Sequence, residues 1–253
     1  MPDFKLNGKR AIVTGGSRGI GKAIARALAQ EGVDVVISAR NQTQLDATAA
    51  ELAQQTGRTV IGVVADTSDD KAVDSLIAET VRRLGGVDIL VNNAAAPGGL
   101  STATRIEQVD SALALKDIDI KVIGYLRTAR AVAPHFIKQK WGRIINIGGL
   151  AIRKTGRPIA TLRNVGVAAV TKNLADELGP HGINVTAVHP GATRTERTDA
   201  KAEQTAAANN SIGRIVDASE VAAVVAFLAS PLSVAITGDA IAVGGGSPGS
   251  INY

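Results

Sequence analysis

The chain has no cysteine, which excludes a disulfide framework, a thiolate nucleophile and a thiolate metal site together. Histidine is scarce, and His135, His181 and His189 lie far apart, which argues against a metal centre. Aromatic residues are also few: one Trp, two Tyr and three Phe do not make a platform on which bases could stack. The basic residues behind the formal net charge of +5 are scattered, so an anionic small molecule is the expected partner and nucleic acid is not. No apolar run is long enough to span a bilayer, and "MPDFKLNGKRAIVTGG" shows no apolar signal core. A soluble, cytoplasmic protein without a membrane partner is expected.

What the sequence does contain is aliphatic and periodic. With 253 residues, 45% of them hydrophobic, the chain can build one large core, and residues 1–253 are expected to form a single domain. Strand-like runs occur at "RAIVTG", "DVVISAR", "TVIGVVAD", "VDILVNNA", "RIINIGG", "NVTAVHPG" and "AIAVGGG", with helical patterns between most of them. Such alternation predicts an α/β fold with a parallel sheet covered on both faces. In "IATLRNVGVAAVTKNLADEL", Val167, Val170, Leu174 and Leu178 recur at helical spacing and predict one buried stripe. The Ala-rich "TDAKAEQTAAANNS", 198–211, reads either as an exposed helix or as a mobile lid over a pocket.

The strongest local motif is "TGGSRGIG", 14–21, which follows the first strand and opens a helix. Gly15, Gly19 and Gly21 permit a tight turn and close backbone approach to a pyrophosphate, and the helix N-terminus offers free N–H groups.

From Leu6 to Gly246 the sequence resembles the short-chain dehydrogenase/reductase family. "TGGSRGIG" is similar to that family's cofactor loop, "NNAA" at 92–95 to its NNAG, "HPGATRT" at 189–195 to its PG segment, and "ITGDAIAVGGG" to its closing strand. The resemblance implies a doubly wound Rossmann fold with a single parallel sheet of about seven strands. It also implies a cofactor half at about 6–140 and a substrate half at about 141–246, with a lid at about 192–215. The activity implied is NAD(P)-dependent oxidation or reduction of alcohols and carbonyls. By resemblance the cofactor-binding residues are Gly15, Ser17, Arg18, Gly19, Ile20, Gly21, Arg40, Asp66, Asn92, Ala94, Pro190, Gly191 and Thr195. Where an acidic residue would hold a ribose 2′-hydroxyl, the second strand ends in Arg40, with Arg18 in the first loop. Two guanidiniums suit a 2′-phosphate, so NADP(H) is expected in preference to NAD(H).

The catalytic positions depart from the pattern. In the family a Tyr and a Lys four residues later share one helix face, the Lys lowering the pKa of the Tyr that moves the proton. Counting back from Pro190 through "TKNLADELGPHGINVTAVHPG" puts Asn164 at the Lys position and Ala160 at the Tyr position. Gly149 occupies the place of the family Ser, and Lys121 that of the family Asn on the fourth helix. Thr161 is one residue, a rotation of ~100°, from the Tyr position and would be aimed away. Tyr125 and Tyr253 lie elsewhere, and a buried, hydrogen-bonded role suits His189 better than a catalytic one.

Lys and Asn have thus exchanged places between the fourth and fifth helices. One expectation is that Lys121 points into the site, hydrogen-bonds Asn164 directly or through water, and polarises or protonates a substrate oxygen. The plainer alternative is a solvated Lys121 and a capping or packing Asn164. Two functions stay open: an oxidoreductase with a rearranged site, and a silent dinucleotide-binding protein that acts as sensor or subunit. The resemblance also implies a homo-oligomer, tetramer or dimer, assembled through the fourth and fifth helices. Gly166, Ala168 and Ala169 would permit close contact there, or serve internal packing.

Overall fold

A computed structural model describes residues 3–96, 98–246 and 248. Strands β1 (Arg10–Thr14), β2 (Asp34–Ala39), β3 (Val60–Val64), β4 (Ile89–Asn92), β5 (Gly142–Ile147) and β6 (Ile183–Pro190) fall within or beside the runs read from sequence. Two-residue strands β7 (Thr193–Arg194) and β8 (Val216–Asp217) pair with each other, and β9 (Ala240–Val243) is the last. The main sheet has seven strands in the order β3-β2-β1-β4-β5-β6-β9, all parallel. Sequence periodicity missed β7 and β8 because two residues are too short to show alternation.

Strand alternation sorts side chains into two cores. Ala11, Val13, Val35, Ile37, Ile89 and Val91 face α1 (Gly19–Gln30), α2 (Gln42–Thr56) and α8 (Ala218–Ala229). Their neighbours Ile12, Val36 and Leu90 face α3 (Asp70–Leu84), α5 (Gly124–Gln139) and α6 (Pro158–Leu178). Because both faces are buried, the strands read as continuous aliphatic runs rather than alternating ones. The stripe expected on α6 is present, with Val167, Val170 and Leu178 buried and Leu174 packed against them. No helix of the described residues is long and apolar enough to cross a membrane.

Two features bear directly on the site. The fourth helical segment is α4 (Ser111–Ile118), a π turn (Asp119–Ile123) and α5, joined without leaving helical dihedrals. The wider π turn carries Lys121, and such insertions displace a side chain from ordinary helical register. Gly166 packs inside the fold, since a Cβ there would lie 3.0 Å from Val122 of this turn. The stretch 198–211 contains helix α7 (Ala200–Ala208), capped by Asp199 accepting from the Ala202 N–H at 2.7 Å.

Candidate functional site

Strand order reverses at β1, which lies between β2 and β4, and the crevice beyond the carboxyl ends of these strands is where open α/β sheets bind ligands. A cleft of about 1380 Å³ opens there, running from the end of β2 across β1, β4 and β5 to α7.

The dinucleotide end is built from the glycine turn. Gly15 and Gly19 have φ of +66° and +56°, values that β-carbons disfavour. A Cβ on Gly21 would lie 2.2 Å from the Gly15 carbonyl oxygen, so only glycine lets the helix start this close to the turn. The turn is tied to β4 through Thr14, whose Oγ1 accepts the N–H groups of Asn93 and Ala94 at 3.0 and 3.1 Å. At the start of α1 the Gly19 N–H donates to the Glu196 carboxylate at 3.2 Å, so an anion already sits at this helix N-terminus. Arg18 and Arg40 are exposed on the wall beside it. Burial would raise the Asp66 carboxyl, but hydrogen bonds from Ser68 and the charges of Arg40 and Lys116 hold it below the usual range. The conformational demand of the turn, the anion at Gly19 and the paired arginines all fit a phosphorylated dinucleotide.

Of the residues expected from sequence, Gly15, Ser17, Arg18, Gly19, Ile20, Gly21, Arg40, Asp66, Ala94, Pro190, Gly191 and Thr195 line the cleft. Asn92 does not, which corrects the expectation. It is fully buried at the end of β4, where Nδ2 donates to Asn146 Oδ1 at 3.0 Å and Oδ1 accepts from Thr128 Oγ1 at 2.6 Å. Strand alternation turns it to the α5 side, and its successor Asn93 faces the cleft instead. Tyr253 lies outside the described residues.

At the other end Gly149, Ala160, Lys121 and Asn164 come together on one wall. Gly149 follows β5 and Ala160 stands in the first turns of α6. A Cβ on Gly149 would lie 3.4 Å from Asn164 Oδ1, so position 149 is aimed at the amide. Lys121 Nζ donates to the Gly148 carbonyl at 2.9 Å and to Asn164 Oδ1 at 3.0 Å. Asn164 is fixed in turn, its Nδ2 donating to the Ala160 carbonyl at 2.7 Å. Only 4% of Lys121 is exposed. Burial first, and then the Arg163 guanidinium, pull its ammonium down to about 7 against the opposing charge of Asp117. An ammonium has three donors and two are used, so one position on Nζ is left among the described residues. The side chain is not solvated, and the plainer alternative for Lys121 does not describe this geometry.

The other polar groups nearby are committed elsewhere. Thr161 Oγ1 donates to the carbonyls of Ala151 and Lys154 at 3.1 and 2.8 Å. Tyr125 is buried with its hydroxyl on the Ile147 carbonyl at 3.0 Å, and burial raises its pKa beyond use as a proton donor. His189 Nδ1 accepts the Gly149 N–H at 3.0 Å. Burial and the charges of Lys121 and Arg153 press its pKa down to about 4, so the imidazole is neutral. Its ring fills the space that a Cβ on Gly148 would need, at 2.0 Å. Among the described residues no cluster of His, Asp or Glu could hold a metal. Arg163, which sequence reading passed over, also lines the cleft and pairs with Asp117 at 2.9 Å. Nothing in its local sequence distinguishes it from a surface arginine, because Asp117 is brought to it only by the packing of α4 on α6.

A family profile described as enoyl-(acyl carrier protein) reductase matches residues 15–247. The chain is 35% identical over 249 residues to the short-chain reductase protein NovJ of Streptomyces niveus, covering 94% of this chain and 93% of that protein. It is 34% identical over 249 residues to a 3-oxoacyl-[acyl-carrier-protein] reductase of Aquifex aeolicus, covering 96% and 99%. Among solved structures, L-sorbose reductase from Gluconobacter frateurii, complexed with NADPH and L-sorbose, superposes with a TM-score of 0.90 at 27% identity, covering 99% of this chain and 100% of that one. Near-complete coverage at this identity, on this strand order, is the mark of common descent: the chain belongs to the short-chain dehydrogenase/reductase family of oxidoreductases.

Proposed function

We propose that the protein is an NADP(H)-dependent carbonyl reductase in which Lys121 takes the place of the family's catalytic Tyr. The observation that carries this reading is the buried Lys121 Nζ on the cleft wall, held at 2.9 Å by the Gly148 carbonyl and 3.0 Å by Asn164. In this reading the family positions of Ser, Tyr and Lys are Gly149, Ala160 and Asn164, and proton transfer has moved to the helix that carries the family Asn.

When bound, NADPH supplies the hydride. Gly15, Ser17, Gly19, Ile20 and Gly21 cradle its pyrophosphate, and Arg18 and Arg40 pair with the 2′-phosphate. Asp66, Ala94, Pro190, Gly191 and Thr195 line the rest of its length, and Asn93 stands where Asn92 was expected. Lys121 hydrogen-bonds the substrate oxygen through its one uncommitted N–H and delivers that proton as negative charge develops there. The amine left behind is tolerated because its environment already disfavours the ammonium. Asn164 positions Lys121 and does not touch the substrate. 3-Oxoacyl thioesters, the substrates named for the Aquifex relative, belong in the first panel of carbonyl compounds tested.

The test is NADPH oxidation by wild type, Lys121→Met and Lys121→Arg. General acid catalysis is worth ~10²–10⁴-fold, so the Met variant should lose at least about 100-fold in kcat with NADPH affinity unchanged. Wild-type kcat should fall as pH rises through about 7, and the Arg variant should lose that limb. A Met variant with unchanged kcat overturns the role of Lys121. Tight NADPH binding without turnover of any carbonyl supports a silent dinucleotide-binding protein instead. Assembly is also part of the proposal: Leu115, Ile123, Leu126, Leu162 and Val165 are exposed on α4, the π turn, α5 and α6, and a homo-oligomer through these helices would cover them. Light scattering in solution checks it.

A further inference from the structure

Beyond Lys121 the reaction end of the cleft carries a second charged cluster that carbonyl reduction does not require. Arg163, only 6% exposed, donates through Nη1 to Asp117 Oδ1 at 2.9 Å and to the Ala96 carbonyl at 3.4 Å. Asp117 Oδ2 is engaged as well, accepting the Leu100 N–H at 3.2 Å. The loop over this pair is held close. A Cβ on Gly99, whose φ is +90°, would lie 2.8 Å from Asp117 Oδ2 and 3.2 Å from Arg163 Cζ. Arg157, at the N-cap of α6, fastens the same loop by donating through Nη2 to the carbonyls of Gly98 and Ser101 at 3.0 and 3.1 Å.

Two properties of the cluster point to a ligand. The first concerns the guanidinium of Arg163, whose Nη1 is occupied by Asp117 while Nε is buried without a partner among the described residues. Nη2 makes no hydrogen bond to a described residue either, so the Nε–Nη2 edge carries two unpartnered donors, the pair that a carboxylate engages bidentately. The second is the charge of the surroundings. Lys121, Lys154, Arg157 and Arg163 line this end with Asp117 paired to Arg163, and the only carboxylate among the described residues that themselves line the cleft is Asp66, at the dinucleotide end. Positive charge concentrated on low-dielectric walls focuses the field into the cleft. The cofactor does not account for it, because Arg18, Arg40 and Lys116 lie at the opposite end with Asp66.

We infer that this end of the cleft takes a carbonyl substrate bearing its own carboxylate, paired with the unpartnered edge of Arg163 and drawn in by Arg157 and Lys154 at the mouth. The substrate class is a short oxo acid, its carbonyl oxygen toward Lys121 and its carboxylate toward Arg163. The inference deepens the proposed function and rests on Lys121 being the group at the reacting oxygen. A neutral substrate would leave the Arg163 edge unsatisfied, and unmatched buried donors are how a polar site rejects an analogue that lacks the group.

The experiment is calorimetric titration of the NADPH-loaded protein with malonate, a carboxylate probe without a reducible ketone, alongside neutral dimethyl malonate. Malonate should bind saturably and at least about tenfold more tightly than the diester, consistent with one charge-assisted pair. Lys154→Gln/Arg157→Gln should weaken malonate by about tenfold. Asp117→Asn/Arg163→Gln removes both buried charges together and should abolish malonate binding while NADPH affinity stays within about twofold. If that pair does not fold, the Lys154/Arg157 variant decides. Equal binding of acid and diester, malonate that only displaces NADPH, or variants with wild-type malonate affinity would each overturn the inference. Turnover is measured separately on 3-oxobutyrate and on its methyl ester. Malonate binding without turnover leaves the carboxylate site standing and removes the Lys121 chemistry. Efficient turnover of the ester without malonate binding does the reverse.

Discussion

The two ends of the cleft were built under different constraints. The dinucleotide end is backbone chemistry: glycines at positive φ, N–H groups at the start of α1, and no room for a β-carbon at Gly21. Its side-chain contribution is a pair of exposed arginines. The reaction end is side-chain chemistry in a buried setting, where two pairs, Lys121 with Asn164 and Arg163 with Asp117, are each held at hydrogen-bond distance with almost no solvent. A backbone cradle tolerates little change, because each departure is a steric clash. A side-chain network can exchange its members, provided every donor and charge is still met.

The largest effect should come from breaking the network at one member. Arg163→Met leaves Asp117 charged and buried, and should cost about 3–5 kcal/mol of folding stability in urea denaturation, whereas Asp117→Leu/Arg163→Met should recover most of it. A single variant as stable as wild type would mean that the pair is solvated in the working protein.

Next in size is the pH dependence of stability. Folded Lys121 titrates at about 7 against an ordinary value of 10.5, so between those values the unfolded chain binds more protons and stability rises with pH. Below pH 7 both forms are charged and the penalty is complete. Relative to Lys121→Met, wild type should therefore gain on the order of 1 kcal/mol per pH unit from 7 toward 10, read from urea midpoints at each pH. A flat difference would place the ammonium in water.

At the dinucleotide end, Arg40→Asp removes one charge-assisted contact and adds a repulsion. NADPH affinity should fall by about 2–3 kcal/mol and the preference over NADH should vanish or reverse in fluorescence titration. Gly21→Ala should weaken both cofactors alike, since its clash is with backbone, and by about 1–3 kcal/mol of stability as well. Different losses for NADPH and NADH in this variant would show that the turn discriminates between them. The smallest effect belongs to Gly149→Ser. The added Cβ meets Asn164 at ordinary contact distance, so the fold should be unchanged to within about 0.5 kcal/mol, and a second hydrogen bond to the substrate oxygen should raise kcat/KM by no more than about tenfold.

Much of this was legible in the chain. The seven main strands appear as aliphatic runs because a doubly covered parallel sheet buries both faces, and the glycine turn announces itself because a β-carbon at Gly15 or Gly21 would meet neighbouring atoms at 2.8 Å or less. The hydrogen bond between Lys121 and Asn164 could be anticipated, since the family resemblance puts both residues at the reaction end. Asn92 and Asn93 could not be told apart in "NNAA". Which of two adjacent residues faces a cleft depends on where the strand stops alternating, and the Thr14 bonds to the N–H groups of Asn93 and Ala94 settle that.

Local preferences and motif spacing thus determined the fold, the glycine turn after β1 and the lack of any Tyr, Lys or His in the first turns of α6. Tertiary packing alone decided the acidity of Lys121 and the existence of the Arg163 cluster. A pKa depends on burial and on charges within a few ångströms, and neither belongs to any one residue. The sequence left Lys121 open between an inward and a solvated side chain, which burial in the π turn decides, and Arg163 reads as a surface arginine until α4 lays Asp117 against it, 46 positions away in the chain.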